Sequence, residues 1–164
     1  MLDTLEAVLH ASKTEWIFLR ELRVGMGRGP NNLQRLDAFA LNCLPHLAMK
    51  RVCYEVKISR ADYLCEMKNP LKRRVGLHFS NQFFFVTPAG MLAFDEVPNH
   101  CGLIEVDPER GPHCTVVISA PWRDTPAPTW QFAAAMLRNQ QRAMKELAAL
   151  PRQQKLDLVP SRFD

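Results

Sequence analysis

The chain has 164 residues, 47% of them hydrophobic and 23% charged, with a net charge of +4 and a pI near 8.9. That length suits one domain, and the composition is ordinary for a soluble globular protein. No apolar run approaches the ~20 residues of a membrane span, and the acidic N-terminus MLDTLEAVLHASKTEW lacks the basic region of a secretory signal, so a cytoplasmic protein without membrane contact is expected.

Residues 2–12 place Leu2, Leu5, Val8 and Leu9 at helical spacing, with Asp3 or Thr4 positioned to cap the start. EWIFLRELRVG, 15–25, is rich in aromatic and branched residues and reads as a strand. GMGRGPNN, 25–32, carries three glycines and a proline and reads as a turn. It lacks the GK[ST] ending of a phosphate-binding P-loop.

Residues 33–42, LQRLDAFALN, alternate as a second strand, with Leu36, Ala38 and Ala40 on one face and Arg35, Asp37, Phe39 and Leu41 on the other. RVCYEVKIS, 51–59, is a third. Its Val52, Tyr54, Val56 and Ile58 share one face, and Cys53, Glu55, Lys57 and Ser59 share the other. A helix follows over 60–80, broken near Asn69 by Pro70.

Residues 81–88, 101–107 and 113–121 read as three further strands, the Phe83–Phe85 run being expected in the core. Trp122 and Trp130 are expected to pack down a Pro-rich connector. The longest helix spans 130–150, where Phe132, Met136, Leu137, Met144 and Leu147 form a stripe expected to face the core. Residues 151–164 are expected to be a mobile tail. The order of elements is that of a single α/β domain over 1–150, a mixed central sheet flanked by helices. The five cysteines include no CxxC pair, so reduced thiols fit better than a disulfide framework.

Three polar residues stand out. Asp37 lies in the second strand, and Glu55 and Lys57 share a face of the third. If those strands are neighbours, the two carboxylates come within reach of one divalent cation. Close carboxylates repel, and one would normally hold a proton. Mg²⁺ or Mn²⁺ removes that penalty and prefers oxygen ligands, and the lysine adds positive charge beside a metal-bound water. That set suits hydrolysis of a phosphodiester. Glu21 shares a strand face with Ile17 and Leu19, an unusual place for a carboxylate without a partner.

Between Lys57 and Arg74 the chain carries six cations against Asp62 and Glu66, an excess equal to that of the whole protein. Arg60, Lys68, Lys72, Arg73 and Arg74 follow the third strand and could clamp DNA phosphates, with Arg28 a further contributor from the glycine-rich turn. Asp62 and Glu66, four apart on the expected helix, could form a second acidic pair but read better as local partners for Arg60 or Lys68.

The string RLDAFAL, then YEVKISRADYLCEMKNPLKR, NQFFFVTPAG and VPNHCGLIEV, resembles the PD-(D/E)XK nuclease superfamily, in particular its MmcB-like group associated with DNA repair. The resemblance covers roughly 33–107. It implies a restriction-endonuclease-like core and a metal-dependent DNA nuclease using Mg²⁺ or Mn²⁺. Asp37 and Glu55 match the metal ligands, Val56 would offer its backbone carbonyl, and Lys57 matches the catalytic lysine. Glu6 stands where many members add a glutamate, with Glu21 as its competitor. Leu36 replaces the proline of the superfamily name. A homodimer addressing both DNA strands and a partner protein giving specificity are further expectations. The alternative is a non-catalytic DNA-binding or protein-interaction module on the same fold.

Overall fold

The computed structural model describes residues 1–25 and 34–150. Arg28 and the expected tail, 151–164, lie outside the described residues.

Among the described residues ten helices and strands follow one another: α1 (Leu2–Leu9), β1 (Trp16–Val24), β2 (Gln34–Asn42), β3 (Arg51–Val56), α2 (Arg60–Met67), α3 (Arg74–Phe79), β4 (Gln82–Pro88), β5 (Gly102–Val106), β6 (Cys114–Ile118) and α4 (Trp130–Ala149). The six strands form one mixed sheet in chain order. β1, β2 and β3 are antiparallel neighbours, β3, β4 and β5 are parallel, and β6 returns antiparallel. The crossover from β3 to β4 is made by α2, a short 3₁₀ turn at Pro70–Arg73 and α3, because a parallel connection needs such a length of chain.

Both faces of the sheet are covered, which is why the central strands read as nearly continuous apolar runs. Phe83, Phe85, Cys53 and Leu103 pack with Tyr63 of α2, Phe79 of α3 and Phe132 of α4. Phe84, Val86, Val52, Tyr54 and Ile104 pack on the other side with Leu5 of α1. Phe132 stacks on Phe79 with ring centroids 4.1 Å apart and meets Phe39 edge-on. The Phe83–Phe85 run is core, as the sequence implied.

Four local expectations change. β3 ends at Val56 rather than 59, and Ile58 is exposed, because Ser59 turns the chain and caps α2 by accepting the Asp62 N–H. Leu36 packs with Phe39 rather than with Ala38 and Ala40. Along α4, Phe132 is buried and Met136 packs against the core, but Leu137, Met144 and Leu147 are exposed: only one end of the helix's stripe meets the sheet. Trp130 is 91% exposed and Trp122 about half exposed, so neither packs the connector down.

The change of face at Leu36 has a visible counterpart across the ladder. Glu21 of β1 has φ 53°, the left-handed region, which is uncommon for a residue with a side chain. Around it the pairings Arg20 to Ala38 and Leu22 to Leu36 keep one register, so no residue is inserted. Instead the strand rotates. Leu19, Leu22 and Val24 all enter the same core although their spacing breaks period two. Asn139 of α4 holds the distorted segment, its Nδ2 donating to the carbonyls of Arg20 at 2.9 Å and Glu21 at 3.3 Å.

Gly102, at the start of β5, sits where a Cβ would lie 2.5 Å from the Phe84 ring and 2.7 Å from the Ala120 nitrogen. Gly102→Ala should therefore destabilise the protein by ~1–3 kcal/mol, read as a lower urea midpoint with an unchanged denaturation slope.

Candidate active site

β2 and β3 bring the two carboxylates level. Their register pairs Phe39 with Cys53 and Ala38 with Tyr54; one residue further along, Asp37 comes opposite Glu55. There the two strands cease to exchange backbone bonds, and the Asp37 side chain takes over: its Oδ2 accepts the Val56 N–H at 2.9 Å. The Lys57 N–H donates to the Val86 carbonyl at 2.9 Å, continuing the parallel ladder one residue past β3. A side-chain acceptor on one side and a backbone carbonyl on the other thus fix the Glu55–Lys57 segment.

Lys57 turns its ammonium inward and is only 5% exposed. Its Nζ lies 2.9 Å from Glu55 Oε1, 3.5 Å from Glu66 Oε2 and 3.9 Å from Asp62 Oδ1. Burial alone would lower its pKa, but the hydrogen bond to Glu55 and the charges of Glu55, Glu66 and Asp62 outweigh that and hold it above the ordinary lysine value. With these neighbours Lys57 is held as a cation. Glu55 moves the other way from a usual ion-paired acid. Burial first, and then the negative charge of Asp37, push it up to about 7 in spite of Lys57.

These groups line one open, mostly polar cleft of about 710 Å³, together with Gln34, Arg35, Asn69 and Lys72. Arg35 spans its rim, with Nη1 2.8 Å from Glu21 and Nη2 3.8 Å from Asp37.

The remaining expected site residues distribute differently. Glu6 is bound by Lys13 and by Arg20, which lies 2.6 Å from it, and does not line the cleft; it is a partner for surface cations rather than a third ligand. Glu21 also stays outside the cleft and reaches Asp37 only through Arg35. Its carboxylate is half exposed, so the strand face that seemed to bury it does not exist. Val56 lines the cleft, and the contact fixed there is its N–H to Asp37.

Among the basic residues, Arg73 is buried. It donates to the Glu66 carbonyl at 3.1 Å and lies over the Phe85 ring, so it braces α2 and is no phosphate clamp. Arg60 is held by both oxygens of Glu96. Lys68, Lys72 and Arg74 are exposed, and of these Lys72 lines the cleft.

Glu66 has a role other than the local surface pairing that its sequence position suggested. It is a 3% exposed carboxylate between Lys57 and Arg73, whose guanidinium lies 3.7 Å from its Oε1. Asp62 and Glu66, taken as surface partners for Arg60 or Lys68, face Lys57 instead. Their spacing of four residues, on the helix that follows the lysine, was the available signal.

The donor set fits a hard divalent cation at Asp37 and Glu55. Both offer carboxylate oxygens on an open cleft, and the raised Glu55 pKa marks a charge that a cation would relieve. Among the described residues no three His, Cys, Asp or Glu side chains form a metal-holding group.

No protein-family model matches the chain. No curated protein matches it. A solved structure of a protein of unknown function from Silicibacter pomeroyi is similar, with a TM-score of 0.63 and 20% identity over 93% of this chain and 90% of that one. At that identity the likeness shows the fold alone. The fold is a mixed α/β arrangement, and no helix among the described residues is long and apolar enough to cross a membrane.

Two stability measurements test the charge arrangement. Lys57→Met leaves Glu55 and Glu66 without their shared cation and should cost about 3 kcal/mol at neutral pH; adding Glu66→Gln should recover part of that loss. The contribution of Glu55, whose folded pKa is raised, is fully present below about pH 4.5 and is lost as pH rises through about 7. Glu55→Gln should therefore gain on the wild type between pH 5 and pH 8 in EDTA, by roughly 2–3 kcal/mol, as followed by urea denaturation. Equal stability differences at the two pH values would refute the raised pKa.

Proposed function

We propose that the protein is a divalent-metal-dependent nuclease that hydrolyses DNA phosphodiesters, on a core of the restriction-endonuclease-like type. The observation that carries this reading is the convergence of Asp37, Glu55 and a buried, charged Lys57 at the mouth of one polar cleft. The sequence resemblance supplies the reaction class, and the cleft supplies a place for it.

Asp37 and Glu55 would hold Mg²⁺ or Mn²⁺. A bound cation supplies Lewis-acid polarisation of a phosphoryl oxygen and a lowered water pKa. The chain's own residues do the rest. Asp37 also pins the backbone of Val56, so the ligand and the lysine-bearing segment keep a fixed relation. Lys57, kept protonated by its carboxylate neighbours, places a positive charge where an attacking water or a phosphate oxygen gains negative charge. Its role is electrostatic and orienting. Asp62 and Glu66 hold the ammonium in place, and Lys72 lines the same cleft as a phosphate contact.

Cleavage of labelled single-stranded, duplex and branched DNA with Mg²⁺, Mn²⁺ or EDTA is the direct test. Asp37→Asn keeps an oxygen for the Val56 N–H while removing the charge, so it should preserve the fold. We expect it to reduce metal-dependent cutting by about 100-fold or more and to weaken Mn²⁺ binding in calorimetry. Nucleic-acid binding by wild type without cleavage under any metal would favour a non-catalytic binding module.

A further inference from the structure

The cleft does not end at its rim. It shares Gln34 with a neighbouring hollow of about 330 Å³, which Arg74 and His78 also line. That hollow shares Gly25 with a third, of about 220 Å³, between the end of β1 and α4, lined by Arg23, Arg138 and Arg142. Neither of the two outer hollows has a carboxylate among its described lining residues. Of the three, only the cleft has acids among its described lining residues.

We infer that these three depressions form one track for a polynucleotide strand, leading from the cleft past Arg74 to a phosphate-binding end at Arg23, Arg138 and Arg142. The inference rests on the nuclease reading for what occupies the cleft. Three guanidiniums around an opening this small suit phosphate oxygens. Arg142 lies 3.8 Å from Glu146, but both side chains are substantially exposed, and such a surface pair is screened and easily exchanged. The adjoining depression along α4 is less suitable. It contains Glu21 and Glu146, and its Arg20 is already bound by Asp3 and Glu6. Three hollows joined in series through shared lining residues favour a backbone that repeats its charge over a single nucleotide, which would use one hollow only.

The test is equilibrium binding of a fluorescent oligonucleotide of about 20 nucleotides, single-stranded or duplex, in EDTA across a salt series. The variant is Arg23→Gln with Arg138→Gln and Arg142→Gln. A charge-matched control replaces Lys13, Arg110 and Lys145, which line none of the three hollows, by Gln. Arg23→Gln with Arg138→Gln alone keeps the Arg142 bond to the Glu21 carbonyl, should the triple variant unfold. The triple variant should bind about tenfold more weakly at ~0.1 M salt, with a log–log salt slope shallower by about 2, as expected for three lost phosphate contacts on a single strand. The control should behave as wild type.

Equal affinity in wild type and triple variant, or equal loss in variant and control, overturns the track. If metal-dependent cleavage lost in Asp37→Asn persists in that case, the nuclease reading survives without it. If binding depends on the three arginines but nothing is cut, the track stands and the nuclease reading falls.

Discussion

The buried ammonium of Lys57 is the constraint around which this end of the molecule is organised. A lysine taken out of water is costly unless several acceptors surround it. Here they come from two elements: Glu55 from the strand, and Asp62 and Glu66 from the helix that follows it. The same interaction therefore ties α2 to the end of β3. Glu66 is itself shared with Arg73, whose guanidinium lies over the Phe85 ring and whose donor reaches the Glu66 carbonyl. The polar network thus extends without a break into the apolar core.

Asp37 stands outside that network and opposes it electrostatically. Its charge helps to raise Glu55, while Lys57 pulls the other way. The strand end is left with an acid that ionises near neutrality, next to a fixed cation in the wall of an open cleft. That imbalance distinguishes the cleft from an ordinary surface of paired charges, where acids and bases stabilise each other's ionised forms.

The distorted stretch of β1 contributes at a distance. Glu21 adopts a left-handed backbone, and its carboxylate meets Arg35, which in turn approaches Asp37. Asn139 of α4 satisfies the carbonyls there. The middle of the long helix is thereby linked to the cleft rim through one strand, and arginines of β1 and α4 come to lie beside each other.

Much of this was legible in the sequence. Period-two alternation placed Glu55 with Lys57 on one face of a strand and Asp37 on the strand before it; that the two strands are neighbours was a condition, which the β2–β3 register meets. Pro70 marked the interruption between α2 and α3, and Ser59, with its short hydroxyl side chain, stops β3 earlier than a β-propensity reading allows. The tertiary structure alone decided which carboxylates meet Lys57, because Glu66 reaches it only when α2 folds back on the sheet. It decided that Glu6 belongs to Lys13 and Arg20, that Arg60 belongs to Glu96 and that Arg73 is internal, since charge in a sequence carries no information about which opposite charge is nearest in space. Burial, which raises Glu55 and fixes Lys57, is likewise a property of packed neighbours: the same two side chains in an extended chain would be a solvated pair.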